Sequence, residues 1–274
     1  MIGDSYSEKC TVLQQLMQTY AKDNVMVAFS GGVDSSLLLK MAVMYAGGQG
    51  IKVYAVTADT ELHALQDIQI AKQIAEELGA AHIVLKLWEL EQAGIRNNPI
   101  DRCYRCKKYL FGRIKEKAEE LEAFTVLEGT NADDMLAYRP GIKAVEELGI
   151  KSPLREAGFT KEEVRRLAKE YGISTADRPS APCLATRFPY GEALEKEKLV
   201  RVEQGEQFFR SMGFYNVRLR AHGDIARIEV DEKDMDKLLE NKKGIINYLK
   251  ALGWQYITMD LEGFRSGSMD IHMN

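Results

Sequence analysis

Residues 24–36, NVMVAFSGGVDSS, join a strand pattern to a helix pattern and decide the fold of this chain. The apolar run 25–29 is typical of a strand that is buried on both faces, as in a parallel sheet. Gly31 and Gly32 then allow the backbone to turn sharply and to approach a ligand without a Cβ in the way. The segment therefore predicts a strand, a glycine turn and a helix whose N-terminus faces a ligand.

The polar side chains of this turn indicate that the ligand carries phosphates. A helix N-terminus presents N–H groups and the positive end of the helix dipole, which favour a phosphate. Ser30, Ser35 and Ser36 add hydroxyl donors, whereas Asp34 repels a phosphate unless Mg²⁺ lies between the two groups. The Walker A pattern is absent from the sequence. A plain glycine turn with an Asp or Ser helix cap is the alternative interpretation.

Strand and helix patterns alternate on both sides of the glycine turn. The predicted strands are 24–30, 51–57, 82–87 and 124–130, and the predicted helices are 8–22, 34–46, 61–79 and 103–122. Strict alternation of the two element types is typical of an α/β domain with a parallel sheet that helices cover on both faces. We therefore expect this fold class for the first part of the chain.

A long loop, residues 174–192, separates this pattern from a second one. It contains half of the six prolines of the chain, and loops of this length are usually functional or linkers. Beyond the loop the sequence predicts a helix at 195–212, strands at 216–221 and 225–230, a helix at 233–252 and a strand at 254–261. This order predicts a small C-terminal α+β domain with a two-stranded antiparallel hairpin. The predicted domains are 1–180 and 181–274.

Composition limits the partners of the protein. A length of 274 residues accommodates two modest domains, at about 150 residues per domain. The formal net charge of -4 argues against a broad electrostatic grip on nucleic acid. The apolar runs are far shorter than the ~18 residues that span a bilayer, and the N-terminal residues show no secretory signal. We therefore expect a cytoplasmic protein that binds neither membranes nor nucleic acid, and we expect it to be a homo-oligomer.

Three of the four cysteines form a pattern that suits metal chemistry. Cys103 and Cys106 are spaced C-x-x-C, and Cys183 lies in the proline-rich loop. A C-x-x-C pair can bind one metal or cluster edge, undergo dithiol redox chemistry, or do neither. A fourth ligand for tetrahedral zinc is missing nearby, whereas three thiolates suit a [4Fe–4S] cluster with one open iron. Cys10 lies near the apolar stripe of the first helix and is interpreted as structural.

The string S-G-G-x-D-S at residues 30–35 resembles the pyrophosphate loop of the PP-loop ATP pyrophosphatases, whose fold is adenine-nucleotide alpha-hydrolase-like. Those enzymes cleave ATP between its α- and β-phosphates, adenylate a substrate oxygen and release pyrophosphate. The resemblance implies ATP and Mg²⁺ as cofactors, residues 56–58 near the adenine, and a second nucleotide loop at 129–131 with Asp133 or Asp134. The candidate nucleotide-binding residues are Ser30, Gly31, Gly32, Asp34, Ser35, Ser36, Val56, Thr57, Lys107 and Gly129, and Asp34 is also a candidate catalytic residue.

Lys107 directly follows the cysteine pair and has two interpretations. If its helix faces the nucleotide, its ammonium lies near the phosphates. If the helix faces away, Lys107 is an ordinary exposed lysine.

Five further motifs extend the resemblance over nearly the whole chain. They are DRCYRCKK (101–108), YRPGIK (138–143), CLATRFPYG (183–191), RLRAHGDIARIE (218–229) and LEGFRSG (261–267). Together they are similar to the LarE family, the ATP-dependent sulfur transferases that build the nickel-pincer nucleotide cofactor of lactate racemase.

This resemblance implies a reaction in two stages. The family adenylates a carboxylate of pyridinium-3,5-biscarboxylic acid mononucleotide and then replaces the adenylate with sulfur, so that two rounds give the bisthiocarboxylate. AMP is a good leaving group, and a sulfur nucleophile attacks an activated acyl carbon readily. We therefore expect an AMP- and pyrophosphate-forming sulfurtransferase.

Family members differ in the origin of the sulfur. Members with all three cysteines hold a [4Fe–4S] cluster, on residues that match Cys103, Cys106 and Cys183, and carry a spare sulfide on its open iron. Other members lack the C-x-x-C pair and sacrifice the cysteine that matches Cys183, which becomes dehydroalanine. Because this chain keeps all three cysteines, we favour the cluster, with Cys183 as a catalytic residue and with sulfide or a sulfur-delivery protein as the sulfur source.

The substrate that the resemblance implies is a small nucleotide, whose phosphate and carboxylates need cationic ligands. Guanidinium groups bind such anions bidentately. Arg218 and Arg220 alternate along a predicted strand and therefore face the same side. Glu206 and Glu229 match acidic family positions that either hold a metal or orient the arginines, whereas Asp236 does not align cleanly with a further one. The substrate residues that the resemblance implies are Arg187, Glu206, Arg218, Arg220, Glu229 and Arg265.

Three other functions account for parts of the pattern. A tRNA thiolase shares the PP-loop and sometimes a cluster on C-x-x-C, but usually carries a basic surface or an RNA-binding module. An amide-forming synthetase of the NAD or GMP type needs ammonia or a glutaminase and does not need three cysteines. A non-enzymatic nucleotide-binding module does not account for the glycine loop and the arginines together.

Overall fold

The structure is a computed structural model that describes residues 5–47, 50–136, 140–179 and 182–265. Parts of the motifs at 138–143 and 261–267 lie outside the described residues, as does the predicted domain boundary between 180 and 181. The chain divides into two compact units. The first comprises Met1–Gly94 with Asp101–Ser180, and the second comprises Ile95–Ile100 with Ala181–Asn274.

A parallel four-stranded sheet forms the centre of the first unit. Its strands are β1 (Val25–Ala28), β2 (Val53–Asp59), β3 (Ala81–Lys86) and β4 (Thr125–Leu127), in the spatial order β3-β2-β1-β4. Every neighbouring pair in this sheet is parallel. The predicted α/β class is therefore confirmed.

Helices connect and cover these strands. They are α1 (Tyr6–Tyr20), α2 (Val33–Ala46), α3 (Leu65–Glu77), α4 (Glu89–Gln92), α5 (Arg102–Glu120), α6 (Gly141–Glu147), α7 (Pro153–Glu156) and α8 (Lys161–Glu170). Alternate residues of β1 enter two separate cores, since Val25 and Val27 pack with α1, α2 and α8 on one face whereas Met26 packs with α5 on the other. Within the described ranges, none of the helices is long and apolar enough to cross a membrane.

The strand order places one crevice at the carboxyl end of the sheet. The chain continues from β1 to β2 and β3 on one side, whereas β4 lies on the other side of β1. In open parallel sheets, ligands bind where the strand order reverses in this way. The loops that follow β1 and β4 are therefore neighbours, although 97 residues separate Asp34 from Asn131 in sequence.

The second unit has a three-stranded sheet covered by helices. Its elements are α9 (Lys196–Ser211), β5 (Val217–His222), β6 (Ile225–Val230), α10 (Met235–Glu240), α11 (Lys242–Ala251) and β7 (Tyr256–Met259). Strands β5 and β6 pair antiparallel, and β6 and β7 pair parallel. This small mixed sheet with its helices confirms the predicted α+β character of the C-terminal part.

Two details differ from the sequence prediction. The prediction of a single helix at 233–252 is wrong. The segment forms a 3₁₀ turn followed by α10 and α11, and Asn241 separates the two helices. The Asn241 side chain donates to the Lys237 carbonyl oxygen at 2.8 Å, which satisfies a carbonyl at the end of α10. The proline-rich loop also contains a 3₁₀ turn at Leu184–Arg187, directly after Cys183.

Candidate active site

Hydroxyl groups hold the loop between β1 and α2 in shape. The Ser30 N–H donates to Ser35 Oγ at 3.3 Å, and the two hydroxyl oxygens lie 3.2 Å apart. Ser35 Oγ also donates to the Gly32 carbonyl oxygen at 3.2 Å. Ser36 Oγ is buried and has no hydrogen-bond partner among the described residues. Ser30 and Ser35 therefore shape the predicted phosphate loop from within.

Asp34, the predicted catalytic carboxylate, is held by two groups from distant segments. The Lys161 ammonium forms an ion pair with Asp34 Oδ2, and the Asn131 amide donates to Asp34 Oδ1 at 3.2 Å. Lys161 begins α8, and its own N–H donates to Asp133 Oδ2 at 2.8 Å. Lys161 is a site residue that sequence reasoning missed, because only the tertiary structure brings this helix to Asp34.

Replacing Lys161 by alanine should weaken ATP binding about tenfold or more, since an interaction with a charged group is typically worth that much. The reason is that the Asp34 carboxylate would then face the phosphates without its cation. Calorimetric titration with a non-hydrolysable ATP analogue measures the effect. Lys169→Ala, on the exposed part of the same helix, is the matched control. Equal affinities for the two variants would contradict the prediction.

The loop after β4 lies directly against Asp34. A Cβ on Gly129 would lie 2.9 Å from Asp34 Cβ and 3.2 Å from the Ser35 nitrogen, so only glycine allows this approach. Asn131 shapes the rest of the loop, because its side-chain oxygen accepts from the N–H groups of Asp133 and Asp134 at 3.0 and 3.3 Å. The two predicted nucleotide loops are thus brought together.

The Lys107 side chain extends from α5 toward the carboxyl end of β4. Its ammonium is 4.0 Å from Glu128 Oε2, at the carboxyl end of β4. Glu128 is buried and accepts from Thr130 Oγ1 at 2.7 Å and from the Ser152 hydroxyl. Of the two interpretations of Lys107, this position agrees with an ammonium that faces the nucleotide loops.

Val56 and Thr57, the residues expected near the adenine, fix the end of β2. The Val56 carbonyl accepts from the Phe29 N–H at 2.8 Å. Thr57 Oγ1 donates to the Phe29 carbonyl oxygen at 2.8 Å, and His82 Nε2 lies 2.8 Å from the same hydroxyl. Because the hydroxyl has a single proton, His82 Nε2 is the donor. Burial lowers the pKa of His82, which favours the neutral imidazole with its proton on Nε2.

The cysteine pair lies near the N-terminus of α5, with Cys103 in its first turn and Cys106 in its second. Both thiols are half-buried, and neither is in a disulfide. Cys106 Sγ donates to Glu89 Oε2 at 2.9 Å, and Arg102 Nη2 is 3.9 Å from Cys103 Sγ. Both Glu89 and Arg102 are buried, and no sequence motif indicated that Glu89, 17 residues earlier, lies beside this pair.

Cys183 belongs to the second unit, where its thiol is also half-buried and not in a disulfide. Its carbonyl oxygen accepts from Arg187 Nη1 at 3.1 Å and from Thr186 Oγ1 at 2.9 Å. These bonds fix the backbone on the carboxyl side of the thiol. Among the residues that the structure describes, no three His, Cys, Asp or Glu side chains are grouped as metal ligands.

Arg187 and Glu206 form a bidentate ion pair in the core of the second unit. Arg187 Nε and Nη2 donate to the two Glu206 oxygens at 2.7 and 2.9 Å, and each residue is 1% exposed. Burial opposes ionisation of Glu206, but the Arg187 guanidinium outweighs it and holds the pKa of Glu206 below its ordinary value. Glu206 also accepts from Arg210 Nη2 at 2.9 Å and from the Leu219 N–H at 3.1 Å. The Glu206 carboxylate thus fixes the positions of the guanidinium groups that donate to it.

Glu206→Gln should lower the free energy of unfolding of the second unit by about 3–5 kcal/mol, because it leaves the buried Arg187 guanidinium without its counter-charge. Urea unfolding followed by tryptophan fluorescence measures this, since Trp254 is buried in this unit. Glu240→Gln, at an exposed position of α10, serves as the control and should change the value by less than about 1 kcal/mol. A loss of that small size in the Glu206 variant would contradict the prediction.

Arg218 and Arg220 lie on one face of β5, as their spacing predicts. Arg220 donates to Glu229 Oε2 at 2.8 Å and to the Thr186 carbonyl oxygen at 2.7 Å. The Arg218 guanidinium lies 5.0 Å from the centre of the Phe264 ring. Burial and the nearby Arg187 charge lower the pKa of Arg218 to about 10. A buried guanidinium with a lowered pKa is in a position where an added anion is stabilising.

Two further candidates lie nearer the surface. Arg265 is partly exposed, and its Nη2 is 2.7 Å from Glu262 Oε2 and 3.8 Å from Asp260 Oδ2. Asp236, in the first turn of α10, is exposed. Asp260 links Arg265 to Arg227, whose Nε lies 3.6 Å from Asp260 Oδ2 and whose Nη2 donates to Glu229 Oε1 at 3.0 Å.

Comparison with known proteins shows which family the chain resembles. A family model for the PP-loop domain matches residues 6–137. Over 246 residues the chain is 40% identical to the pyridinium-3,5-bisthiocarboxylic acid mononucleotide synthase of Lactiplantibacillus plantarum, which covers 90% of this chain and 88% of that protein. The chain belongs to the LarE family of PP-loop sulfur transferases.

As a LarE-family member, the chain is an ATP-dependent sulfurtransferase, which confirms the predicted family and class of enzyme. An uncharacterized protein of Synechocystis is 35% identical over 94% of this chain and 96% of its own length. The tRNA-specific 2-thiouridylase MnmA of Rickettsia felis is 26% identical, over 68% of this chain and 60% of that protein.

Proposed function

We propose that this LarE-family enzyme adenylates the carboxylates of pyridinium-3,5-biscarboxylic acid mononucleotide and converts them to thiocarboxylates, as a step in the biosynthesis of the nickel-pincer nucleotide cofactor. The observation that carries this proposal is a cluster of buried guanidinium groups in the second unit. Among its described residues, the buried charged side chains are three arginines, Arg187, Arg218 and Arg220, and two glutamates, Glu206 and Glu229. Guanidinium groups clustered in this way suit a ligand that carries several anionic groups.

The substrate meets that requirement because it carries a phosphate and two carboxylates. Guanidinium groups bind such anions through paired hydrogen bonds. Glu206 holds the Arg187 guanidinium in place, and Glu229 holds that of Arg220. These two guanidinium groups are therefore fixed before the substrate binds. Pre-organised donors of this kind need no rearrangement when charge develops during the reaction.

The first chemical step uses the loop after β1. A substrate carboxylate oxygen attacks the α-phosphorus of ATP, the bond to the β-phosphate breaks, and pyrophosphate leaves. The N-terminus of α2, Lys161 and Lys107 supply positive charge toward the phosphates. Asp34 fits Mg²⁺, which is commonly held by one or two carboxylates together with phosphate oxygens. Bound there, Mg²⁺ would neutralise charge on the leaving pyrophosphate.

The second step transfers sulfur. A sulfide nucleophile attacks the acyl carbon of the adenylate, the bond from carbon to the AMP oxygen breaks, and AMP leaves with its electron pair. The thiocarboxylate keeps one oxygen and one sulfur, and a second round converts the other carboxylate. This balance consumes one ATP and one sulfide for each carboxylate.

For the sulfur source we propose a [4Fe–4S] cluster on Cys103, Cys106 and Cys183. The donor type fits such a cluster, because cysteine thiolates are its usual ligands, and three of them leave one iron without a protein ligand. When bound, the cluster would supply the sulfide for this step. Arg102 Nη2 lies 3.9 Å from Cys103 Sγ, while Arg187 and Thr186 fix the backbone at Cys183.

Incubation of anaerobically reconstituted protein with ATP, the biscarboxylic acid mononucleotide and sulfide tests the proposed function. We expect AMP, pyrophosphate and a product that mass spectrometry shows to contain sulfur in place of carboxylate oxygen. A protein that releases AMP only with bulk tRNA, and binds that tRNA tightly at physiological salt, would favour a tRNA thiolase. One equivalent of product with dehydroalanine at Cys183 would favour the sacrificial route.

A further inference from the structure

The peptide unit between Gly31 and Gly32, in the middle of the PP-loop, is held at both ends. Arg178 Nη1 donates to the Gly31 carbonyl oxygen at 3.0 Å, and the Gly32 N–H donates to Ser30 Oγ at 3.3 Å. Gly31 has a φ of +68°, and a Cβ there would lie only 3.0 Å from Cα of Ala71 in α3. Because a trans peptide directs its C=O and N–H to opposite sides, fixing the carbonyl also fixes the N–H.

Arg178 is itself fixed by groups outside the PP-loop. Its Nη2 donates to Asp67 Oδ1 at 2.6 Å, and Asp67 lies in the first turn of α3. Arg165 of α8 donates to the backbone carbonyls of Ala176 and Arg178 at 2.6 and 2.9 Å. A planar guanidinium that joins a carboxylate to a carbonyl is a rigid contact, because its donors are already arranged as a fork. The position of the Gly31 carbonyl is therefore set by α3 and α8.

We propose that Arg178 is a positioning residue for ATP, which holds the peptide between Gly31 and Gly32 and so keeps the PP-loop backbone in the shape that receives the β- and γ-phosphates. The proposal rests on ATP use by the PP-loop and is independent of the carboxylate substrate and of the sulfur source.

Calorimetric titration of the full-length protein separates this role from general destabilisation. The probes are α,β-methylene ATP, inorganic pyrophosphate and AMP. Arg178→Ala should weaken binding of the first two about tenfold or more, and should leave AMP binding within about twofold, because AMP lacks the β- and γ-phosphates. Asp177→Asn is the matched control, since Asp177 is the preceding residue and pairs with exposed Lys169. It should match the wild type for all three probes.

Two further variants test the fork and its anchor. Arg178→Lys should give an intermediate loss of pyrophosphate affinity, because it keeps the charge without the planar fork. Asp67→Asn should give a smaller loss, and the double variant Asp67→Asn with Arg178→Ala should bind no more weakly than Arg178→Ala alone. This non-additivity is expected because the carboxylate acts through the arginine.

Three results would overturn the proposal: unchanged affinity for pyrophosphate in Arg178→Ala, an equal loss for AMP and for the ATP analogue, or additive losses in the double variant. If Arg178→Ala does not fold, unchanged pyrophosphate affinity in both Arg178→Lys and Asp67→Asn overturns it. A wild-type protein that binds α,β-methylene ATP but makes no thiocarboxylate would refute the proposed substrate and leave this test intact.

Discussion

Replacing Asp34 by alanine should abolish substrate-dependent pyrophosphate release, with a fall in rate of at least about 10²–10³-fold. Asp34 lies in the first turn of α2, and it binds the Lys161 ammonium and the Asn131 amide that come from two other segments. Its loss removes the proposed Mg²⁺ ligand and releases both of these groups. A coupled assay for pyrophosphate under single-turnover conditions measures the effect.

The fold should survive this substitution, because the Asp34 side chain is at the rim of the crevice and is 19% exposed. Asp23→Ala, at an exposed turn before β1, is the matched control and should keep wild-type turnover. Circular dichroism and thermal melting would show whether the Asp34 variant is folded. Undiminished pyrophosphate release by the folded variant would remove Asp34 from the catalytic site.

Cys103→Ser should eliminate both bound iron and repeated turnover. Serine is a poor ligand for the proposed [4Fe–4S] cluster, and loss of one of three thiolates leaves too few ligands to retain it. Iron and acid-labile sulfide should approach four per chain in the reconstituted wild type. Product formation by the variant should fall to one equivalent or less.

Cys10→Ser provides a control for this experiment within the same chain. Cys10 is a free, half-buried thiol on α1 that packs against the main core of the first unit. Its replacement should change neither the iron content nor the number of turnovers. Cys106→Ser and Cys183→Ser should behave like Cys103→Ser. Several turnovers per chain in any of these three variants would contradict the cluster proposal.

Sequence patterns predicted most of the scaffold correctly. The apolar run before Ser30 is a strand, the glycines form the turn, and the residues from Val33 form the following helix. The alternation of strand and helix patterns predicted a parallel sheet. This was possible because the period and composition of the apolar residues indicate which side chains of each element are buried. The helix at 233–252 failed because the pattern does not show that the Asn241 side chain ends α10.

The candidate site was only partly accessible from the sequence. Gly129 was predicted in a nucleotide loop, and the structure adds that a side chain there would collide with Asp34. Glu206 was open as a metal ligand or as a residue that orients arginines, and its contacts with Arg187 and Arg210 agree with the second. Spacing along the chain does not reveal such contacts, because they depend on how helices and strands pack.

The sequence by itself determined the PP-loop, the alternating fold and the positions that match the LarE family. These features are local, since a glycine turn, an apolar period or a motif is complete within a few consecutive residues. Only the tertiary structure decided that Lys161 pairs with Asp34 across 127 residues and that Arg178 holds Gly31 across 147. The physical reason is that strand order and helix packing, which no single segment encodes, bring these charged groups within hydrogen-bond distance.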